Sequence, residues 1–123
     1  MPDPNYVLLY VNDPPATAVF YTDLLGKSPV EASPTFALFA LESGVMLGFW
    51  SRHTVEPTAL TTGGGNEIGF SVNGNATVDA LYDDWKHRGL PILQERTELD
   101  FGYTFVALDP DGHRLRVFAL TAR

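Results

Sequence analysis

The sequence repeats itself, and that constrains the fold more than any other feature. Val7-Leu8-Leu9-Tyr10-Val11-Asn12 falls on Ile68-Gly69-Phe70-Ser71-Val72-Asn73 at an offset of 61. Apolar residues meet apolar residues at 7/68, 9/70 and 11/72, and Tyr21 falls on Tyr82. Each half then reads strand, turn, helix, with a glycine, Gly26 or Gly89, near the helix end. At a slightly larger offset, Phe36–Leu41 leads through Glu42-Ser43-Gly44 into Val45–Trp50. Its counterpart Tyr103–Leu108 leads through Asp109-Pro110-Asp111-Gly112 into His113–Phe118. Pro-Asp-Gly between alternating apolar runs is a hairpin signal. With second strands near Ser28–Ala32 and Pro91–Glu95, each half is β-α-β-β-β. The class is α+β, two tandem modules with eight strands in one domain over residues 1–123. Module one covers about 5–50, a linker 51–66 and module two about 67–120.

The helix boundaries are readable. Asp13 is expected to cap the first, with Pro14 or Pro15 in its first turn, where a missing N–H costs nothing. Asn75 is expected to cap the second, which runs to about Arg88 before Gly89. Ala18, Tyr21, Leu24 and Leu25 form one apolar stripe; Val78, Leu81, Tyr82 and Trp85 form the other. Gly63-Gly64-Gly65 reads as a tether. A strand follows it and no Lys-Ser/Thr, so it is not a phosphate loop.

Composition narrows function. A formal charge of −7 argues against nucleic-acid binding and against docking on an anionic membrane, both of which need a basic face. Without cysteine there are no disulfides, thiolate nucleophiles or Cys-type metal sites. No apolar run approaches the roughly 18 residues of a membrane span. The N-terminal MPDPN does not read as a signal peptide, so a cytoplasmic protein is expected.

Period-two alternation gives each strand two faces. Val7, Leu9, Val11, Ile68, Phe70, Val72, Val45, Leu47, Phe49, Leu115, Val117 and Ala119 should face the helices. The opposite faces carry Tyr6, Leu8, Tyr10, Met46, Gly48 and Trp50 in the first half. In the second they carry Glu67, Gly69, Ser71, Arg114, Arg116 and Phe118. Gly48 and Gly69 should leave room there. Such a mixed surface fits a concave ligand site, and it fits a sandwich or dimer interface equally well.

The paired modules, "FYTDLLG" at Phe20–Gly26 and "DPDG" at Asp109–Gly112 resemble the vicinal oxygen chelate superfamily over about residues 5–120. That is the glyoxalase I, bleomycin-resistance and extradiol-dioxygenase group. The resemblance implies that the two sheets close into a curved eight-stranded cup holding a metal or organic ligand. It also implies a homodimer, the family's dimers often having modules exchanged between chains. In metal-using members each first strand begins with a ligand, and each last strand carries another. On this chain those positions are Tyr6, Gly48, Glu67 and Arg116. A protonated phenol is a poor ligand, glycine offers no side chain and a guanidinium repels a cation. Only Glu67 remains, where such sites generally need about three ligands. The expectation is therefore no metal and no cofactor. His53, His87 and His113 are scattered and read as solvated surface residues.

Since Glu67 and Arg116 stand where relatives share one ion, they should pair or address a common ligand, in a structural or a binding role. The ligand-binding set is Tyr6, Tyr10, Met46, Trp50, Glu67, Ser71, Arg114, Arg116 and Phe118, with Phe36 and Tyr103 on ambiguous faces. Trp85 reads as core. The loop Arg96–Gly102 covers the cup or forms an exposed turn. No catalytic residue stands out: Ser71 has no histidine assignable to it, and Glu67 is a lone base. The resemblance implies metal-independent binding of a small, partly aromatic molecule or antibiotic, as in the drug-sequestering branch. The alternatives are a divalent-metal lyase or dioxygenase, or a metabolite sensor.

Overall fold

The computed structural model describes residues 3–121. The chain divides into two compact units at Gly63–Gly64, each with one helix and four strands.

The first unit contains β1 (Tyr6–Val11), α1 (Pro14–Leu25), β2 (Glu31–Ala32), β3 (Phe36–Ala40) and β4 (Met46–Ser51). Its sheet runs β1-β4-β3-β2, with β1 parallel to β4 and the other pairs antiparallel. The Asp13 carboxylate caps α1, accepting from the Ala16 amide at 3.2 Å, and Pro14 begins the helix as expected. The buried stripe is Pro14, Thr17, Ala18 and Tyr21, with Leu24 and Leu25 only half-buried. Tyr21 stacks on Phe49 (centroids 4.4 Å apart) and meets Phe39 edge-on at 6.4 Å. Such pairs add about 0.5–1.5 kcal/mol each beyond burial. Leu9, Val11, Ala37 and Leu47 complete this core. Val7 does not join it: at the start of an edge strand, with a neighbour on one side only, it is 42% exposed.

The second unit contains β5 (Glu67–Ser71), α2 (Asn75–His87), β6 (Ile92–Leu99), β7 (Gly102–Leu108) and β8 (Arg114–Leu120). The order β5-β8-β7-β6, with β5 parallel to β8, repeats the first sheet. Val78, Tyr82 and Trp85 of α2 bury against Phe105, Leu115, Val117 and Ala119. Trp85 meets Phe70 and Phe105 edge-on at 5.4 and 5.5 Å, so it belongs to the core.

Three local expectations are corrected. Asn75 is the first residue of α2 and not its cap. Gly74 takes that place at φ 84°, a conformation other residues rarely adopt, and the Thr77 hydroxyl donates to the Asn73 carbonyl at 3.0 Å. Arg96–Leu99 is not loop but the end of β6, whose register shifts on both sides of Gln94 broke the alternation. The turn is Asp100–Phe101, and Gly102 follows at φ 151°, where a side chain would run into the Ala119 carbonyl. His113 is not a surface residue but 2% exposed. It shares the inward parity of Leu115 and Val117, and its amide donates to Asp109 Oδ1 at 2.8 Å. Among the described residues no helix is long and apolar enough to cross a membrane.

Candidate functional site

Both sheets leave one face free of their own helix, and the candidate residues lie on those faces. In the first unit, strand register builds an aromatic row. Tyr10 on β1 stands beside Trp50 on β4, and Trp50 beside Phe36 on β3. The Phe36 and Trp50 rings meet edge-on at 6.2 Å. Tyr6 pairs with Met46 on the same face. Tyr6, Leu8 and Tyr10 are 55%, 43% and 37% exposed, so edge strand β1 presents apolar surface to solvent.

Gly48 does not leave the expected room. It lies between Leu8 and Leu38 in register, and those side chains have closed over it. A Cβ there would stand 2.7 Å from Leu8 Cδ2, 3.1 Å from Phe36 Cζ and 3.3 Å from Leu38 Cδ1. The glycine is what allows the aromatic face to pack down onto the strand. At Gly69 the Phe118 ring occupies the space in the same way, 3.3 Å from where a Cβ would be.

The second unit's face is charged. Glu67 on β5 pairs with Arg114 on β8, Gly69 with Arg116 and Ser71 with Phe118. The side chain of Arg116 reaches back to Glu67, Nε donating to Oε1 at 2.7 Å and Nη2 to Oε2 at 2.9 Å. Its Nη1 donates to Gln94 Oε1 and to Thr104 Oγ1, each at 3.2 Å. Three neighbours thus satisfy one guanidinium whose side chain is 17% exposed. The hydrogen bonds from Arg116 hold the Glu67 carboxyl below the usual glutamate range, against the upward push of burial, and the positive charges of Arg116 and Arg114 add to the lowering. Arg114 approaches Glu67 Oε2 only to 3.8 Å. Phe118 meets Phe101 edge-on at 5.9 Å, and the Arg116 guanidinium stands 5.9 Å from the Phe101 ring centre.

The structure settles the two ambiguous aromatics differently. Phe36 is on the open face. Tyr103 is on the helix side, where its hydroxyl donates to Asp79 Oδ1 at 2.7 Å. That bond and one from Arg96 hold the Asp79 carboxyl below its ordinary range; the same bond to Asp79 pushes the Tyr103 phenol up. Sequence reading missed Leu38, Gln94, Thr104 and Phe101. Thr104 and Leu38 were accessible from hairpin parity with Phe118 and Gly48. Gln94 was hidden by the irregular register of β6.

The sequence profile of the glyoxalase/bleomycin resistance protein/dioxygenase superfamily matches residues 4–117. The chain belongs to this superfamily. It is 32% identical over 121 residues to phenazine antibiotic resistance protein EhpR of Enterobacter agglomerans, covering 95% of this chain and 92% of that one. Protein ATC0852 of Agrobacterium tumefaciens, known from a solution NMR structure, is 53% identical, with a TM-score of 0.92 over 99% of this chain and 100% of that one. A glyoxalase-related enzyme from Fulvimarina pelagi shares the fold at 22% identity, with a TM-score of 0.83 over 97% of this chain and 88% of that one. Both four-stranded sheets and both helices match the glyoxalase/bleomycin-resistance fold.

As a superfamily member, the chain can be tested for the metal that the fold carries elsewhere. Tyr6 is a phenol, Gly48 is bare backbone packed under Leu8, Arg116 is a fixed cation and Glu67 has both oxygens engaged by it. Neither pair, Tyr6 with Gly48 in the first unit or Glu67 with Arg116 in the second, suits a divalent ion. Among the described residues no three His, Asp or Glu side chains gather as a metal-holding group.

Proposed function

We propose that the protein binds a small, planar, partly aromatic organic molecule without a metal and protects by sequestration. The observation that carries this reading is the grip of Arg116 on Glu67: the carboxylate a metal would use is already neutralised by the chain's own cation. The aromatic row Tyr10, Trp50 and Phe36 supports it, because flat rings stack on such side chains. Met46 and Tyr6 extend that surface. The second sheet has a candidate face of its own, on which Ser71, Arg114 and Phe118 offer polar and aromatic groups. The similarity to a phenazine resistance protein points to tricyclic heteroaromatics as the first class to try.

The same reading includes a homodimer in the cytoplasm, with modules either exchanged or kept within each chain. The apolar edge strand β1, with Tyr6, Leu8 and Tyr10 exposed, supports it, because such an edge is normally covered. A thermal-shift series against phenazine and other planar heteroaromatics tests the binding. A native-state ligand raises the melting temperature by mass action, and no response across the series would contradict the proposal.

A further inference from the structure

Arg114 is the cation of the charged face that makes only a long ion pair, to Glu67. The cluster holds two guanidinium groups and one carboxylate, so it carries a net positive charge in a chain whose overall formal charge is −7. Arg116 uses its donors on Glu67, Gln94 and Thr104. Arg114 has the 3.8 Å approach to Glu67 Oε2, too long for a hydrogen bond, and its side chain is 44% exposed. A guanidinium offers five N–H donors in a fork matched to a carboxylate. Beside it lies a recess of about 180 Å³ lined by Gly64, Gly65, Asn66, Glu67 and Arg114. A Cβ at Gly64 or Gly65 would meet no other atom within 4 Å, so the glycine wall of the recess is uncrowded.

We propose that Arg114 selects for an anionic ligand, taking a carboxylate of the bound molecule in the recess lined by Gly64, Gly65 and Asn66. A cationic group is disfavoured there, because both oxygens of Glu67 already accept from Arg116. A carboxylate approaching Arg114 from the glycine side meets the open donors, and the net charge of the cluster outweighs repulsion from Glu67. Arg114 is a specificity residue in this scheme and not a structural one. The inference rests on the proposed ligand-binding role of this face.

The test is calorimetric titration of the full chain with phenazine-1-carboxylate and with phenazine-1-carboxamide, which has the same shape without the charge. The wild type is expected to prefer the acid by about tenfold or more at low salt. Arg114→Gln should abolish the preference by weakening the acid alone. Arg114→Lys, which keeps the charge and loses the fork, should retain part of it. Circular dichroism of each variant confirms that the fold is intact. Equal affinity for acid and amide in the wild type, or a preference that survives in R114Q, overturns the inference and leaves the binding role standing. Failure of both compounds to bind overturns the binding role and the inference together.

Discussion

Arg116 and Glu67 meet across the parallel β5–β8 pair through two near-equal hydrogen bonds of 2.7 and 2.9 Å, the fork of the guanidinium matched to both oxygens of the carboxylate. Register places Arg116 beside Gly69, two residues along from Glu67, so the contact is diagonal. It joins the edge strand to the sheet and, through Gln94, the sheet to β6.

Replacing Arg116 removes the donor to four acceptor atoms on three residues at once. Arg116→Met should destabilise the fold by about 1–3 kcal/mol, the cost of partly buried polar groups left unpaired. Urea unfolding measures this. A double change, Arg116→Met with Glu67→Met, should recover much of the loss, because a pair replaced by apolar groups leaves no charge stranded.

The pair also sets a pH dependence. The Glu67 carboxyl is lowered in the folded state, chiefly by its Arg116 hydrogen bonds. A lowered folded value means the contribution is fully present above the unfolded value of about 4.3 and is lost as pH falls through the folded value. Stability should therefore drop on acidification below about pH 5. Glu67→Gln should drop less steeply but still drop, since the Asp79 carboxyl is lowered too, by Tyr103 and Arg96. Urea midpoints at neutral and acid pH for both proteins check the slope.

Gly48 should tolerate no side chain without rearrangement of the aromatic face. Gly48→Ala pushes against Leu8, Phe36 and Leu38, an overpacking expected to cost about 1–3 kcal/mol. Pairing it with Leu8→Ala should relieve most of that cost, because the nearest contact is the tip of Leu8. Thermal unfolding of the single and double variants decides.

Trp50 is central to the aromatic row and only half-buried. Trp50→Ala should weaken binding of a planar ligand by roughly 3- to 10-fold from lost stacking alone, and by more if area is lost as well. Titration by intrinsic fluorescence or calorimetry reads the change, and Trp85, buried in the second core, serves as the control position that should not report on the ligand.

Much of this was legible in the chain because repetition and parity are strong signals. The match of Val7–Asn12 to Ile68–Asn73 fixed the order of elements, and period-two alternation placed Tyr10, Trp50, Glu67 and Arg116 on open faces before any coordinates. The contact between Glu67 and Arg116 followed from the family resemblance, which gives both positions to one shared ion. What stayed hidden depended on local geometry that alternation does not encode. The shifts around Gln94 disguised the end of β6 as loop. A positive φ at Gly74 moved the cap of α2 back by one residue. His113 continued the inward parity of β8 and so went under the surface, where a turn-adjacent histidine is expected to be solvated. The space at Gly48 could be inferred from the sequence, but its occupants could not, because Leu8 and Leu38 reach it only through strand pairing.

On the proposed function, the protein binds an aromatic molecule with no ion involved. Calorimetric titration of chelator-treated protein with phenazine, repeated after adding zinc, nickel or manganese, tests it most directly. The same affinity is expected in every arm, with no stoichiometric metal in the purified protein by elemental analysis. Binding that appears only when the metal is restored, with the ion lost on Glu67→Gln, would contradict it.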